Sequence, residues 1–231
     1  YFATMKRINK EGPRPLGGFR TPPLRPDEQL ADPLRDGALV IDTRPALEFA
    51  AGHVPGTINI PFNNSFVTWA GWLVPYGKPI HLIVDPAAGD RVHDAVRALA
   101  LIGLDDVASV FHSTAVDRWP DEFGPLATVP QMSGADLAAL KDGDAPIVID
   151  VRGPGEWIEG HLPGARHIPI GFLVDRLDEI PRDRRVVLQC RTGARSSIAA
   201  SLLRRHGVLK VTNLTGGIVA WEQAGLPITR D

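Results

Sequence analysis

The feature that most restricts this chain is that it repeats itself. VIDTRPALEFAAGHVPGTINIP begins at Val40 and VIDVRGPGEWIEGHLPGARHIP begins at Val148, and the two align without a gap at an offset of 108 residues. Asp42 matches Asp150, Arg44 matches Arg152, Glu48 matches Glu156 and His53 matches His161. Pro55, Gly56 and Pro61 meet their counterparts in Pro163, Gly164 and Pro169. Solenoid and propeller units repeat every ~20–50 residues; the longer period here suits a small whole domain. The 231 residues therefore hold two copies of one domain.

Each copy alternates strand-like and helix-like segments. In the second, APIVID (145–150) is a β-rich run, EWIEG a helical turn, and HLPGARHIP a turn into another extended piece. GFLVDRLDEI has helical spacing, and RRVVLQC reads as a buried strand. ARSSIAASLLRRHG sets Ile198, Leu202 and Leu203 on one face and stops at Gly207, a common C-terminal signal. KVTNL reads as a last strand, and GGIVAWEQAG as a last helix ending at Gly225. Ser133 and Asp136 have capping-box spacing and open the second copy's first helix. Strands alternating with helices imply an α/β fold, each copy a mostly parallel sheet with helices on both faces. This divides the chain into a first domain at 25–123, a linker at 124–130 within DEFGPLATVPQ, and a second domain at 131–231.

Composition narrows the function classes. An apolar content of 44% and a charged content of 23% suit a globular core. A net charge of −2 argues against nucleic acid or an anionic membrane as the main partner. No apolar run approaches the roughly 20 residues of a membrane span. A single cysteine excludes an internal disulfide and fits a reducing compartment, so cytoplasm is the expected location. Residues 1–24 read as the remnant of a preceding domain plus a Pro/Gly-rich linker, with YFATMKRINKEG as its last helical turns, stopped at Gly12. They lack the apolar stretch of a secretion signal.

The one thiol, Cys190, lies in VVLQCRTGARSS, where a strand gives way to a helix. In an open α/β sheet, ligands bind beyond the carboxyl ends of strands. The short RTGA connection lets the backbone curl its N–H groups toward the helix N-terminus, which makes an anion cradle. Loop dipoles and Arg191 or Arg195 would favour the thiolate there. A lone cysteine after a β-rich run is otherwise most often a small buried hydrophobe. Against that, packing alone asks for no doubly basic, glycine-containing turn, and a helix start disfavours cations.

The pattern D-x-R, E-[FW], H-[VL]-P-G and I-P, followed by C-R-[ST]-G-x-R-S, resembles the rhodanese family across both halves. The resemblance implies two tandem rhodanese-like domains. It makes Cys190 the nucleophile that accepts sulfur as a persulfide from thiosulfate or a persulfide donor and passes it to a thiol, sulfite or cyanide. It also implies that main-chain N–H groups of Arg191, Thr192, Gly193, Ala194 and Arg195 hold the persulfide or donor oxyanion, with Arg191 and Arg195 supplying positive charge. No cofactor beyond the covalent Cys190 persulfide is implied. The spacing from Cys190 to Arg195 is C-x4-R; rhodanese-like phosphatases carry C-x5-R, so phosphatase is the lesser alternative. A persulfide-carrier or interaction module is another. YFATMKRINKEGPRPLGG resembles the end of metallo-β-lactamase-fold, persulfide dioxygenase-like domains fused to rhodanese pairs.

In the first copy, aligning HLIVDPAAGDRVHDAVRALALIG with the second puts Asp85 where Cys190 stands, with Pro86 removing an N–H from the turn. That half is expected to be silent. His53 and His161 share the H-x-P-G turn and read as locally bonded structural residues, as do Asp150 and Arg152 as a brace. No cluster has metal-ligand spacing, so no metal is expected. Trp221 reads as core, and Trp69 and Trp72 as candidates for an interface.

Overall fold

Ile80–Val84 and Val186–Gln189 are buried at every position in the computed structural model, as strands covered on both faces must be. The structure describes residues 21–85, 90–140 and 145–230, with isolated positions 6, 10–12 and 17–19 before them. The helical turns expected over YFATMKRINKEG lie largely outside the described residues, and Pro86 lies wholly outside them.

The first repeat runs through α1 (Ala31–Arg35), β1 (Leu39–Asp42), α2 (Ala46–Ala51), β2 (Ile58–Asn59), α3 (Phe66–Leu73), β3 (Ile80–Val84), α4 (Arg91–Ala100), β4 (Val107–His112) and α5 (Thr114–Phe123). The second follows with β5 (Gln131–Met132), α6 (Gly134–Ala138), β6 (Ile147–Asp150), α7 (Pro154–Glu159), β7 (Arg166–His167), β8 (Val186–Gln189), α8 (Ala194–Arg205), β9 (Val211–Leu214) and α9 (Gly217–Gln223). The first sheet has the order β2-β1-β3-β4 and the second β5-β9-β8-β6-β7. Every strand pair is parallel. A lone parallel bridge from Leu24 to Val110 stands in the first sheet where β5 pairs with β9 in the second. Both repeats are thus α/β with parallel sheets and helices. Among the described residues, no helix is long and apolar enough to cross a membrane.

By contacts the chain forms two units, residues 1–45 with 56–126, and residues 46–55 with 127–231. The connection at 124–130 carries main-chain bonds of its own. Ala127 exchanges two hydrogen bonds of 2.9 Å with His53, and Val129 N–H donates to Ala50 O at 2.9 Å. His161 and Thr229 exchange the same two bonds in the second repeat.

Local signals account for much of the second repeat. Ser133 Oγ accepts from Asp136 N–H at 3.1 Å while the Asp136 carboxylate accepts from Ser133 N–H at 3.3 Å, a capping box at the start of α6. On one side of β8 and β9, Leu137, Leu162, Val187, Leu214, Ile218 and Trp221 form a core cluster. Trp221 Nε1 donates to Pro227 O at 2.8 Å. The other cover is α8, whose Ile198, Leu202 and Leu203 are all buried. The stretch GFLVDRLDEI departs from its helical spacing. It forms two short 3₁₀ turns, Ile170–Phe172 and Leu177–Glu179. Pro181 follows the second turn, and Ile180 before it is extended, as a residue ahead of proline tends to be. A bidentate Arg176–Glu179 pair, at 2.5 and 2.6 Å, suits the i,i+3 eclipse of a 3₁₀ turn.

A charged brace closes the carboxyl end of β6. Asp150 is fully buried and Arg152 is 4% exposed. Arg152 donates to the Asp150 carboxylate from Nε at 2.9 and 3.0 Å and from a terminal nitrogen at 2.6 Å, and again from its main-chain N–H at 2.9 Å. The guanidinium also reaches Gly160 O at 2.6 Å, tying the strand to the end of α7. Asp42 and Arg44 repeat the pairing in the first unit. Removing one partner of a buried pair strands the other charge. Arg152→Ala is therefore expected to lower stability by about 3–5 kcal/mol, measured as a fall in the urea midpoint at unchanged slope.

Candidate active site

β8 is the middle strand of its sheet, and Cys190 follows its carboxyl end. The thiol is 1% exposed, yet polar groups surround it. Its Sγ accepts from Gly193 N–H at 3.1 Å and from Ser196 Oγ at 3.4 Å. Gly193 is the N-cap of α8 with φ of 95°, a backbone region open to glycine and strained for other residues. A Cβ there would stand 3.2 Å from Leu214 O and 3.3 Å from Gly216 N.

The loop is oriented by the start of α9. Ile218 N–H donates to Cys190 O at 2.9 Å, and Val219 N–H donates to Arg191 O at 3.1 Å. These are N–H groups that a helix leaves without internal partners. In a trans peptide, N–H lies opposite C=O, and no cis bond occurs among the described residues. The amides of Arg191 and Thr192 are thereby turned away from α9. Among the described residues, the main-chain N–H groups of Arg191, Thr192, Ala194, Arg195 and Ser196 meet no acceptor. The close seating depends on Gly217, at φ of 55°. A Cβ there would collide with Cys190 O and lie 2.7 Å from both the carbon and the oxygen of the Arg191 carbonyl.

The two arginines have different situations. Arg195 lies in the first turn of α8 and grips the Glu156 carboxylate with two nitrogens, at 2.5 and 2.6 Å. Glu156 comes from α7 and also accepts from Gly153 N–H at 3.2 Å. The hydrogen bond from Arg195 holds the Glu156 carboxyl below the usual carboxylate range, against the effect of burial. Glu156 in turn raises the Arg195 value, with smaller contributions from the charges of Cys190 and Asp150. Arg191, by contrast, is exposed, and its guanidinium has no hydrogen-bond or ion-pair partner among the described residues. Thr192 and Ala194 are exposed beside it. The expectation that both arginines offer charge to a ligand thus separates into one matched cation and one open one. The matching Glu156 lies 39 residues from Arg195, beyond the reach of local sequence reading.

Asp150 and Arg152 form the brace described above. His161 Nδ1 lies 3.1 Å from Trp157 O, and the imidazole stacks on Trp157 at 3.5 Å between centroids. His53 does the same with Phe49 at 3.0 and 3.9 Å. Trp157 also stacks on His167 at 4.9 Å.

The pairing register corrects the alignment of the first repeat. Asp42 faces Ile83 as Asp150 faces Gln189. Thr43 N–H donates to Ile83 O at 3.0 Å, and Val151 N–H to Gln189 O at 2.9 Å. Val84 therefore holds the place of Cys190, and Asp85 falls one residue beyond it. Matching residue types at a strand end cannot see hydrogen-bond register, and a one-residue slip also switches the face on which a side chain lies. Gly217, Ser196 and Glu156 are the neighbours of the loop that sequence reading left without a part. The doubled glycine at the start of α9 and the serine closing C-R-[ST]-G-x-R-S were the available signals for the first two.

A family model described as a rhodanese-like domain matches residues 27–111 and 133–224. A sulfurtransferase of Allochromatium vinosum is 44% identical over 89 residues, 38% of this chain and 83% of that protein. The putative sulfur carrier protein YrkF of Bacillus subtilis is 30% identical over 96 residues, 41% of this chain and 52% of its own length, so the match spans about half of that relative. A crystal structure of a rhodanese-related protein from Thermoplasma volcanium is 31% identical, covering 44% of this chain and 99% of that one, with a TM-score of 0.41. With both repeats matched over most of their length, the chain belongs to the rhodanese family.

Proposed function

We propose that this chain is a sulfurtransferase in which Cys190 carries the transferred sulfur. The observation that carries the reading is the cradle itself, in which a thiol receives Gly193 N–H and neighbouring amides have no acceptor among the described residues. Likeness to a named sulfurtransferase supports the same activity at the level of the family. In the loading step, the Cys190 thiolate attacks the outer sulfur of thiosulfate. An S–S bond forms, the donor's S–S bond breaks, and sulfite leaves with the electron pair. In the release step, a thiol, sulfite or cyanide takes the outer sulfur and returns Cys190 as thiolate. Division into two transfers is what covalent catalysis achieves, and unfilled amides stabilise charge as an oxyanion hole does.

The residues take distinct parts. The amides of Arg191, Thr192, Gly193, Ala194 and Arg195 hold the outer sulfur or the donor's oxyanion. Arg191 supplies the open positive charge. Arg195 braces the loop through Glu156. Asp150, Arg152 and His161 hold the surrounding turns, and no cofactor or metal is required. The first repeat has valine and aspartate where the second has its thiol, so it is silent in sulfur transfer and serves as scaffold or partner surface. A cytoplasmic location and fusion to a metallo-β-lactamase-fold domain fit this reading. The full protein would then join this exchange to persulfide oxidation.

A second reading is favoured by the likeness to a putative sulfur carrier. There, Cys190 receives sulfur from a partner protein and turns over small donors poorly. Thiosulfate-to-cyanide transfer decides between the two. The native chain is expected to form thiocyanate, and Cys190→Ser to form none. Negligible native turnover with persulfide still found on Cys190 by mass spectrometry selects the carrier, and hydrolysis of an aryl phosphate would overturn both.

Gly217→Ala is expected to lower turnover by about a hundredfold, because a displaced loop misaligns the reacting atoms. The check is steady-state kinetics on protein whose circular dichroism matches the native spectrum. A pH effect follows from the clamp. The Glu156 value is depressed on folding, so its stabilisation is present above the ordinary carboxylate value and is lost as pH falls through the lower folded value. Glu156→Gln should therefore be less stable than the native chain near neutrality, with the gap closing on acidification. Solvent screening keeps the difference modest for this partly exposed pair. Urea midpoints across an acid pH series test it.

A further inference from the structure

Among the described residues, Ser196 supplies the one side-chain donor that reaches Cys190 Sγ, at 3.4 Å. The residue is fully buried in the first turn of α8. Its Oγ also stands 3.1 Å from Gly193 O. A hydroxyl has one proton to donate, so it serves one of these two acceptors at a time. Gly193 O does not depend on it, because Ser197 N–H donates to that oxygen at 3.1 Å. The sulfur has Gly193 N–H as its other donor. Rotation of the hydroxyl hydrogen therefore moves a hydrogen bond between main chain and sulfur while every heavy atom stays in place.

On the sulfur-transfer reading above, we infer that Ser196 is a catalytic residue of the release half-reaction, donating to Cys190 Sγ as that sulfur becomes the leaving group. In the loaded state, the inner sulfur is bonded to carbon and to the outer sulfur and carries little charge, so the hydroxyl rests on Gly193 O. When cyanide attacks, its carbon lone pair forms a bond to the outer sulfur. The S–S bond breaks, and its electron pair stays on Sγ. A persulfide anion and cyanide become a thiolate and thiocyanate, with no proton or oxidant consumed. Charge grows on Sγ during this step, and the hydroxyl turns to meet it. An interaction that is stronger in the transition state than in the ground state accelerates the step. Loading runs in the opposite sense. The thiolate holds the hydrogen bond before attack and loses charge to the departing sulfite, so the hydroxyl gives loading no such help.

The assignment predicts an asymmetry that a purely structural serine would not produce. The two half-reactions are followed separately in the full chain by rapid mixing, with thiosulfate and then inorganic polysulfide as donors. Persulfide on Cys190 is read by mass spectrometry, and thiocyanate is read after cyanide is added. Ser196→Ala is expected to load within about twofold of the native rate and to release about tenfold more slowly, the loss for a hydrogen bond to a charged group. Ser196→Gly should show the same asymmetry, and Ser196→Thr, which keeps the hydroxyl, should restore release. Native release in Ser196→Ala, or equal slowing of both halves in the Ala and Gly variants, overturns the role of Ser196 and leaves the sulfur-transfer reading intact. A native chain that takes up sulfur from neither donor overturns that reading and this role together.

Discussion

The loop that follows Cys190 is organised by a pair of carbonyls. Cys190 O and Arg191 O are drawn onto the first free N–H groups of α9, and planarity of the peptide sends the corresponding amides the other way. Among the described residues, five N–H groups between Arg191 and Ser196 have no protein acceptor, and main-chain donors left without partners are uncommon in folded proteins. They are held here because their carbonyl sides are well bonded. Gly217 lets the two backbones come that close, and the core of Leu137, Val187, Leu214, Ile218 and Trp221 fixes α9 against β8 and β9.

Charge is arranged around this loop with similar restraint. Arg195 and Glu156 neutralise each other across the start of α8, and Asp150 and Arg152 do so at the end of β6. Beside these two pairs Arg191 is exposed, with no hydrogen-bond or ion-pair partner among the described residues. A helix N-terminus already favours anions, so a second uncompensated arginine would add charge at a place that has enough. The Glu–Arg clamp gives Arg195 a mechanical task, and on the proposed function it leaves ligand attraction to the backbone and to Arg191.

Much of the fold could be read from residues alone, where the cause is local. The two H-x-P-G turns, the strand-like run ahead of Cys190, the Ser133–Asp136 cap and the glycine stop at Gly207 each act within a few positions. Pairing the repeats through Asp42 and Asp150 established two parallel α/β sheets. Reading failed where the cause is distant or depends on register. GFLVDRLDEI has the period of a helix, but it forms two 3₁₀ turns, the second spanned by the Arg176–Glu179 pair. Glu156 meets Arg195 across 39 residues of sequence, from a different helix. Gly217 matters because of the backbone facing it, and no window of sequence contains both.

The register of β3 has a bearing on how the half without a thiol could be altered. A thiol placed at Asp85 would sit on the opposite face of the strand from the one that Cys190 occupies, so re-creating the sulfur position calls for replacing Val84. Even that change would leave a return of another length. The helix after β3 is capped at Asp90, six residues past Val84, whereas Gly193 caps its helix three residues past Cys190. The duplicated half has diverged in the length of its return to the helix as well as in the identity of one side chain, and a single substitution would not convert it back.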